Sequence, residues 1–169
     1  MIDSEILLKA EKKDGRCAYL AGEYFYKEGN DFLAFYYVKI AADKKFLPAI
    51  VLLANFCRFG VGCKADLKKA RKLYLFAAKR NDPTAMALFA ETETRKDIFA
   101  VKRSIGLFRR AAKRGSAEGA YNLGLKYLKG EGVKQMTERA RYYLTLAALK
   151  NYAPAIYELK DRAFNTFEA

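Results

Sequence analysis

The feature of this sequence that most constrains its fold is an internal repeat marked by pairs of alanines. The pairs are 36, 34 and 36 residues apart, at Ala41-Ala42, Ala77-Ala78, Ala111-Ala112 and Ala147-Ala148. A small residue lies seven positions before each pair, and another follows the first alanine of each pair by eight positions. A fixed period of this length predicts a chain built from copies of one supersecondary unit.

The period is explained by a helix-turn-helix unit that stacks on copies of itself. Small residues seven positions apart lie about two turns apart on one face of a helix, and they let a neighbouring helix approach closely. Gly60 and Gly62, like Gly130 and Gly132, follow helical patterns, where glycine accepts the left-handed conformation that ends a helix. One such unit cannot bury its apolar faces alone, so several must stack.

The coarse secondary structure that follows is helical throughout. The pattern predicts helices over residues 4–13, 17–28, 31–44, 48–59, 66–80, 84–95, 99–114, 117–129, 136–150 and 153–166. No linker rich in proline or serine interrupts them, so we expect one continuous domain over residues 1–169.

These residues resemble a known family. The stretch AYNLGLKYLKGEGV at 120–133, followed by Ala140, Tyr143 and the alanine pair at 147–148, closely resembles the Sel1-like repeat, a relative of the tetratricopeptide repeat. The copy at 53–85 looks like the same motif, whereas the segments 26–33 and 91–97 depart from it. The resemblance implies an all-α, right-handed α-solenoid of about four stacked repeats, at 17–48, 49–84, 85–118 and 119–154, with half-repeats at 4–16 and 155–169.

Composition excludes several kinds of function. The chain has no histidine, which removes Ser-His-Asp and Cys-His catalysis and histidine-ligated zinc. Its three cysteines form no CxxC pair, so we expect reduced thiols in the cytoplasm, although the resemblance to cysteine-stapled Sel1-like proteins leaves a Cys57–Cys63 bridge open. No signal peptide and no apolar run long enough to span a bilayer is visible. The sequence therefore predicts a non-enzymatic protein with no cofactor and no metal site.

Two glycine-rich segments and two reactive side chains have structural interpretations. Gly60-Val-Gly62-Cys-Lys64 has elements of a phosphate-binding loop, but it recurs as Gly130-Glu-Gly132-Val-Lys134 and lacks the full P-loop pattern, which favours a turn of the repeat. Ser104 and Cys57 occupy positions that are packing residues in the other copies, so we expect both to be buried.

Positive charge is concentrated in the middle of the chain. Residues 64–141 contain 20 basic and 8 acidic residues, whereas the flanking segments are nearly neutral. The predicted basic face consists of Lys68, Lys69, Lys72, Lys102, Arg103, Arg109, Arg110, Lys113 and Arg114. Cations near helix ends interact favourably with exposed carbonyls, but that explains only part of this set. The basic face favours a solvated surface, an acidic protein partner, or nucleic acid or anionic lipid.

The resemblance to tetratricopeptide repeats implies a concave groove lined by the first helix of each repeat. Its expected partner-binding residues are Tyr19, Glu23, Tyr26, Asn55, Arg58, Phe59, Tyr121, Leu125, Lys129 and Tyr157, and Val51, Ala87, Glu91, Leu128, Asp161 and Phe164 belong to the same faces. Tyrosines with apolar neighbours supply binding area at small entropic cost. The alternative is that some of these rings pack against the adjacent repeat.

The sequence is best interpreted as a bacterial, cytoplasmic protein-interaction scaffold or adaptor. An immunity- or antitoxin-type protein that binds an effector is a narrower form of this hypothesis. The alternative is a nucleic-acid- or polyanion-binding module that uses the basic face of residues 64–141.

Overall fold

The computed structural model describes residues 3–12, 14–92 and 98–161, which form ten α-helices and no strand. The helices are α1 (Ser4–Glu11), α2 (Gly15–Lys27), α3 (Asp31–Asp43), α4 (Leu47–Phe59), α5 (Leu67–Lys79), α6 (Pro83–Glu91), α7 (Ile98–Lys113), α8 (Ala117–Lys129), α9 (Thr137–Ala148) and α10 (Ala153–Asp161). The all-α prediction and the ten predicted helices are confirmed. Parts of the predicted helices 4–13, 84–95 and 153–166 lie outside the described residues.

The chain divides into two compact units, Met1–Arg80 and Asn81–Ala169. In the N-terminal unit each helix from α1 to α5 packs on the next. In the C-terminal unit each helix from α6 to α10 does the same, and α6 also contacts α8. Contact between α6 and α8 is the packing expected when the first helices of successive pairs stack. The single continuous domain stays a prediction.

The small residues of the repeat lie where helices meet. The first alanine of each pair, Ala41, Ala77, Ala111 and Ala147, is fully inaccessible to solvent. In the C-terminal unit Ala147 clusters with a small residue from each of three other helices, Ala112, Ala120 and Ala155. Ser104, which replaces alanine in the third copy, is also buried and donates its hydroxyl hydrogen to the Val101 carbonyl at 2.8 Å. The prediction of close helix contacts at these positions is confirmed.

Side-chain caps set the starts of six of the described helices; Asp3 caps α1 by accepting from the Glu5 N–H at 2.9 Å, and the other five follow one pattern. In these five the capping oxygen accepts a hydrogen bond from the backbone N–H three residues later, at 2.7–3.0 Å, and the capping residues are Asp14, Asn30, Asp66, Asp82 and Ser116. Such caps satisfy N–H groups that have no partner inside the helix. Proline stands in the first turn of α4 and of α6, where it is compatible with the helix.

The two glycine-rich segments are turns after helices, as the repeat predicts. Gly60 and Gly130 are the left-handed C-caps of α4 and α8, and Gly62 and Gly132 also have positive φ angles. An added methyl group at Gly132 would collide with Val101 and lie 2.8 Å from Ile105 Cδ1. Glycine is therefore required there both by backbone conformation and by the close approach of α7.

We predict that Gly132→Ala lowers the free energy of unfolding by about 2–5 kcal/mol. A non-glycine residue in the left-handed region costs about 1–2 kcal/mol, and overpacking against α7 adds about 1–3 kcal/mol. Urea denaturation followed by circular dichroism measures the change.

Gly29→Ala is the matched control, because Gly29 has a φ of 76° but no atom within 4 Å of the added methyl group. It should lower the free energy of unfolding by only about 1 kcal/mol. Equal losses in the two variants would contradict the claim that contact with α7 matters.

Candidate functional site

The first tyrosine of the expected groove is held in place by its neighbours. The Tyr19 hydroxyl donates a hydrogen bond to Glu23 Oε1 at 2.6 Å, and its ring centroid lies 5.3 Å from that of Phe46. Burial, followed by the hydrogen bond and the charge of Glu23, raises the pKa of Tyr19 well above that of an ordinary phenol. The Tyr19 hydroxyl therefore keeps its hydrogen and donates it to Glu23 on the same helix.

The other expected groove residues of the N-terminal unit lie on α2 and α4. Tyr26 packs its ring 5.1 Å from the Phe56 ring, yet nearly half of its surface is exposed. Phe59 is 69% exposed, and the Arg58 guanidinium carbon lies 5.2 Å from its ring centroid. Exposed aromatic surface beside a cation is an arrangement that a protein partner can use.

A hydrogen bond from a buried tyrosine hydroxyl group holds the side chain of Asn55. Tyr74 of α5 is fully buried and donates its hydroxyl hydrogen to Asn55 Oδ1 at 2.6 Å. The carbonyl end of this amide is thus engaged inside the unit. The NH₂ end is the part of Asn55 that remains suited to bind a partner.

In the C-terminal unit the expected residues lie on α8 and α10. Tyr121 is half-buried with its ring centroid 5.3 Å from that of Tyr152, and Leu125 is half-buried. Lys129 and Tyr157 are exposed, the latter by 66%. Phe164 lies outside the described residues.

Carboxylates accompany the tyrosines of this unit. Burial, then the charges of Glu118 and Glu91, raises the pKa of Tyr152 to about 12. Glu91 Oε1 also accepts a hydrogen bond from Asn122 Nδ2 at 2.7 Å, which joins α6 to α8. Sequence reasoning assigned Glu91 to the groove but missed Asn122, since only the distance between two helices brings them together.

Some of the expected groove residues also pack against other parts of the protein. The rings of Tyr19, Tyr26 and Tyr121 each contact another aromatic ring, so the packing alternative applies to them in part. Val51 and Ala87 are buried, so the expectation that they line the groove is wrong.

The basic face is exposed as predicted. Five of its residues lie on α7 and Arg114 follows that helix directly, and all six are exposed: Lys102, Arg103, Arg109, Arg110, Lys113 and Arg114. Ile105, Phe108, Ala111 and Ala112 of the same helix are buried. In the N-terminal unit Lys68, Lys69 and Lys72 are exposed on α5. Whether these residues bind a partner stays a prediction.

A cluster that sequence reasoning missed joins three helices of the C-terminal unit. Arg109 Nη2 of α7 and Arg139 Nη1 of α9 lie 3.4 Å and 3.3 Å from the hydroxyl oxygen of Tyr127 on α8. Tyr127 is only 3% exposed, and its ring stacks parallel to that of Tyr143 at a centroid distance of 5.8 Å. We call Arg109, Tyr127 and Arg139 the arginine–tyrosine cluster.

Two opposing effects act on the phenol of this cluster. Burial disfavours the charged phenolate and alone would raise the pKa of Tyr127, but hydrogen bonds and attraction from both guanidinium groups outweigh burial and lower it. The repeat alignment placed Tyr127 opposite Cys57 and so indicated packing only. The sequence does show arginines at 109 and 139, but only the distance between the helices brings both of them to Tyr127.

Within the described ranges the structure shows neither a metal site nor a disulfide bond. No group of three or more His, Cys, Asp or Glu residues that could hold a metal occurs there. Cys17, Cys57 and Cys63 are free thiols, and Cys57 is buried as predicted. In the same part of the chain, no helix is both long enough and apolar enough to cross a membrane.

Comparison with known families identifies the repeat. The model of the Sel1 repeat matches residues 10–46, 47–82, 96–116 and 117–152, which together make up more than half of the sequence. The chain belongs to the Sel1-repeat family. Its fold is accordingly that of the all-α solenoids built from Sel1 repeats. Sel1-repeat proteins generally serve as protein–protein interaction scaffolds.

Solved structures support the same fold. A Sel1-repeat protein from Oxalobacter formigenes is 27% identical with a TM-score of 0.75, and the alignment covers 92% of this chain and 66% of that one. A protective antigen present in uropathogenic Escherichia coli strains, described as having an SLR fold, is 23% identical with a TM-score of 0.78, over 98% of this chain and 37% of that one. This chain thus spans less than two thirds of the length of either protein. No curated protein matches its sequence.

We predict that Arg139→Gln raises the pKa of Tyr127, because burial remains while one of the two cations is lost. The titration of tyrosine labelled with ¹³C at Cζ measures this pKa by NMR, and Tyr127→Phe assigns the resonance.

Lys113→Gln removes a positive charge from α7 at a residue that is not part of the cluster, and it should shift this pKa much less. Equal shifts in both variants would show that the guanidinium contact does not control the phenol.

Proposed function

We propose that this Sel1-repeat protein is a non-enzymatic scaffold or adaptor that binds an acidic protein partner. The observation that carries the proposal is the cationic side of α7, where exposed lysines and arginines occur without a single acidic residue between Ile98 and Lys113. The buried opposite side of the helix fixes these cations on a packed support.

We expect two kinds of contact to contribute to binding. The cations of α5 and α7 attract an acidic partner over a distance and speed its association, an effect that salt weakens. The exposed rings of Tyr26, Phe59 and Tyr157 supply short-range apolar contact. Because the Tyr26 ring already packs against Phe56, little of its conformational freedom is lost on binding.

The setting we propose is the bacterial cytoplasm. The three free thiols support a reducing compartment. A narrower proposal is an immunity- or antitoxin-type protein, and it would be supported only if the bound partner were a toxic protein whose activity falls on binding.

The second candidate function is binding of nucleic acid through the basic face of residues 64–141. The density of cations on α5 and α7 favours it. Binding to phosphates releases counterions, so affinity for generic DNA or RNA would fall steeply and linearly on a log–log plot against salt.

We expect the tagged chain to retain a stoichiometric protein from its source lysate at low and moderate salt after nuclease treatment. Mass spectrometry identifies what is retained. Loss of everything after nuclease, with nucleic acid recovered before it, would overturn the scaffold proposal in favour of the second candidate.

The variant R110E/K113E should slow association with the retained protein at least tenfold at low salt, as measured by surface plasmon resonance, because it reverses two charges on α7. K27E/K39E makes the same charge change at exposed positions outside the basic face and should slow association less. Unaltered association by R110E/K113E at low salt would contradict electrostatic steering.

A further inference from the structure

The arginine–tyrosine cluster places two positive charges against one neutral oxygen. Arg109 and Arg139 are both exposed, and each donates to the Tyr127 hydroxyl at the long end of the hydrogen-bonding range. Among the described residues neither guanidinium has a carboxylate within ion-pairing distance. Two like charges held this close repel each other, and an anion bound between them would relieve the repulsion.

The donors of the cluster fit a carboxylate. A guanidinium group presents planar N–H donors that match carboxylate oxygens, and charge-assisted bonds of this kind are the stronger ones. The Tyr127 oxygen already accepts from both arginines, so its own hydrogen remains available as a further donor. Two guanidinium groups thus lie within about one hydrogen-bond length of the same hydroxyl oxygen.

The cluster is built on a rigid base. Tyr127 is buried and stacked on Tyr143, and the guanidinium carbon of Arg139 lies 5.6 Å from the Tyr127 ring centroid. The phenol therefore holds the arginines of two helices in a fixed relation before any ligand arrives. Preorganised arginine and tyrosine side chains are typical of residues that dominate binding energy.

The repeat architecture does not by itself require these residues. The equivalent positions in the N-terminal unit hold Lys39, Cys57 and Lys69 in place of Arg109, Tyr127 and Arg139. That set has no phenol and no planar cation, and Cys57 is buried. The cluster is therefore a property of this one copy and not of the helix pair in general.

We propose that Arg109, Arg139 and Tyr127 form a subsite that binds a carboxylate side chain of an acidic segment in a protein partner. The inference rests on the proposed scaffold function and locates its strongest contact. Arg110 and Lys113 are exposed on the same helix, so neighbouring acidic residues of the segment also find cations. This extended set favours a run of carboxylates over a single phosphate.

The test uses the full chain and an octapeptide of glutamate with blocked ends. Isothermal titration calorimetry at low salt compares the unaltered chain with R109Q/R139Q and R110Q/K113Q, which lose the same charge. We expect R109Q/R139Q to weaken binding at least tenfold and R110Q/K113Q to weaken it less than about threefold. Equal weakening in both variants would overturn the subsite, since it would show that only net charge matters.

A second measurement needs no substitution in the cluster. Addition of the peptide to the ¹³C-labelled chain should shift the Tyr127 Cζ resonance and raise the pKa of Tyr127, because a bound carboxylate disfavours the phenolate. An unmoved resonance at saturating peptide would overturn the proposal. If inorganic phosphate bound the cluster at a lower concentration than the peptide does and displaced it, the carboxylate assignment would be overturned.

Failure of this inference is distinguishable from failure of the scaffold function. A captured protein that binds R109Q/R139Q as tightly as the unaltered chain would refute the subsite and leave the scaffold intact. Peptide binding that depends on the cluster, together with no captured protein, would refute the scaffold and leave the subsite.

Discussion

Contact between small side chains on adjoining helices is the constraint on which the rest of this structure depends. In the N-terminal unit Ala10, Ala18, Ala21, Ala41 and Ala49 meet in one buried cluster drawn from four helices. The C-terminal unit repeats the arrangement with alanines of α7, α8, α9 and α10. Such contacts let backbones approach closely, and interiors packed at this density tolerate little added volume. They set the helix spacing that positions every candidate binding group.

The helix spacing determines which acidic, basic and aromatic side chains of each unit lie near one another. Carboxylates lie near tyrosines of α2 and of the turn before α10, as Glu23 beside Tyr19 and Glu118 near Tyr152 illustrate. Cations occupy the second helices α5 and α7, and the arginine–tyrosine cluster stands where α7, α8 and α9 meet. Charge separated in this way favours recognition of a partner by electrostatic complementarity.

Most of the fold could be predicted from residues that are close in the sequence, but the contacts between helices could not. Alanine spacing and the repeated glycines indicated the helix pairs and their turns, because both follow from sequence neighbours. The Tyr127 contacts with Arg109 and Arg139 span 18 and 12 residues and depend on how far apart the helices lie. Val51 and Ala87 show the same limit: a helical face is visible in the sequence, but the neighbour that covers it is not.

The most direct test of this account compares Ala147→Leu with Ala148→Leu by equilibrium urea unfolding. Ala147 is fully buried among the alanines of three other helices, whereas Ala148 is half-buried at the edge of that cluster. We expect Ala147→Leu to lower the free energy of unfolding by about 3 kcal/mol, because the larger side chain overpacks the contact, and Ala148→Leu to lower it by under about 1 kcal/mol. Equal, small losses in both variants would show that close approach at the alanine pair does not hold the helices together.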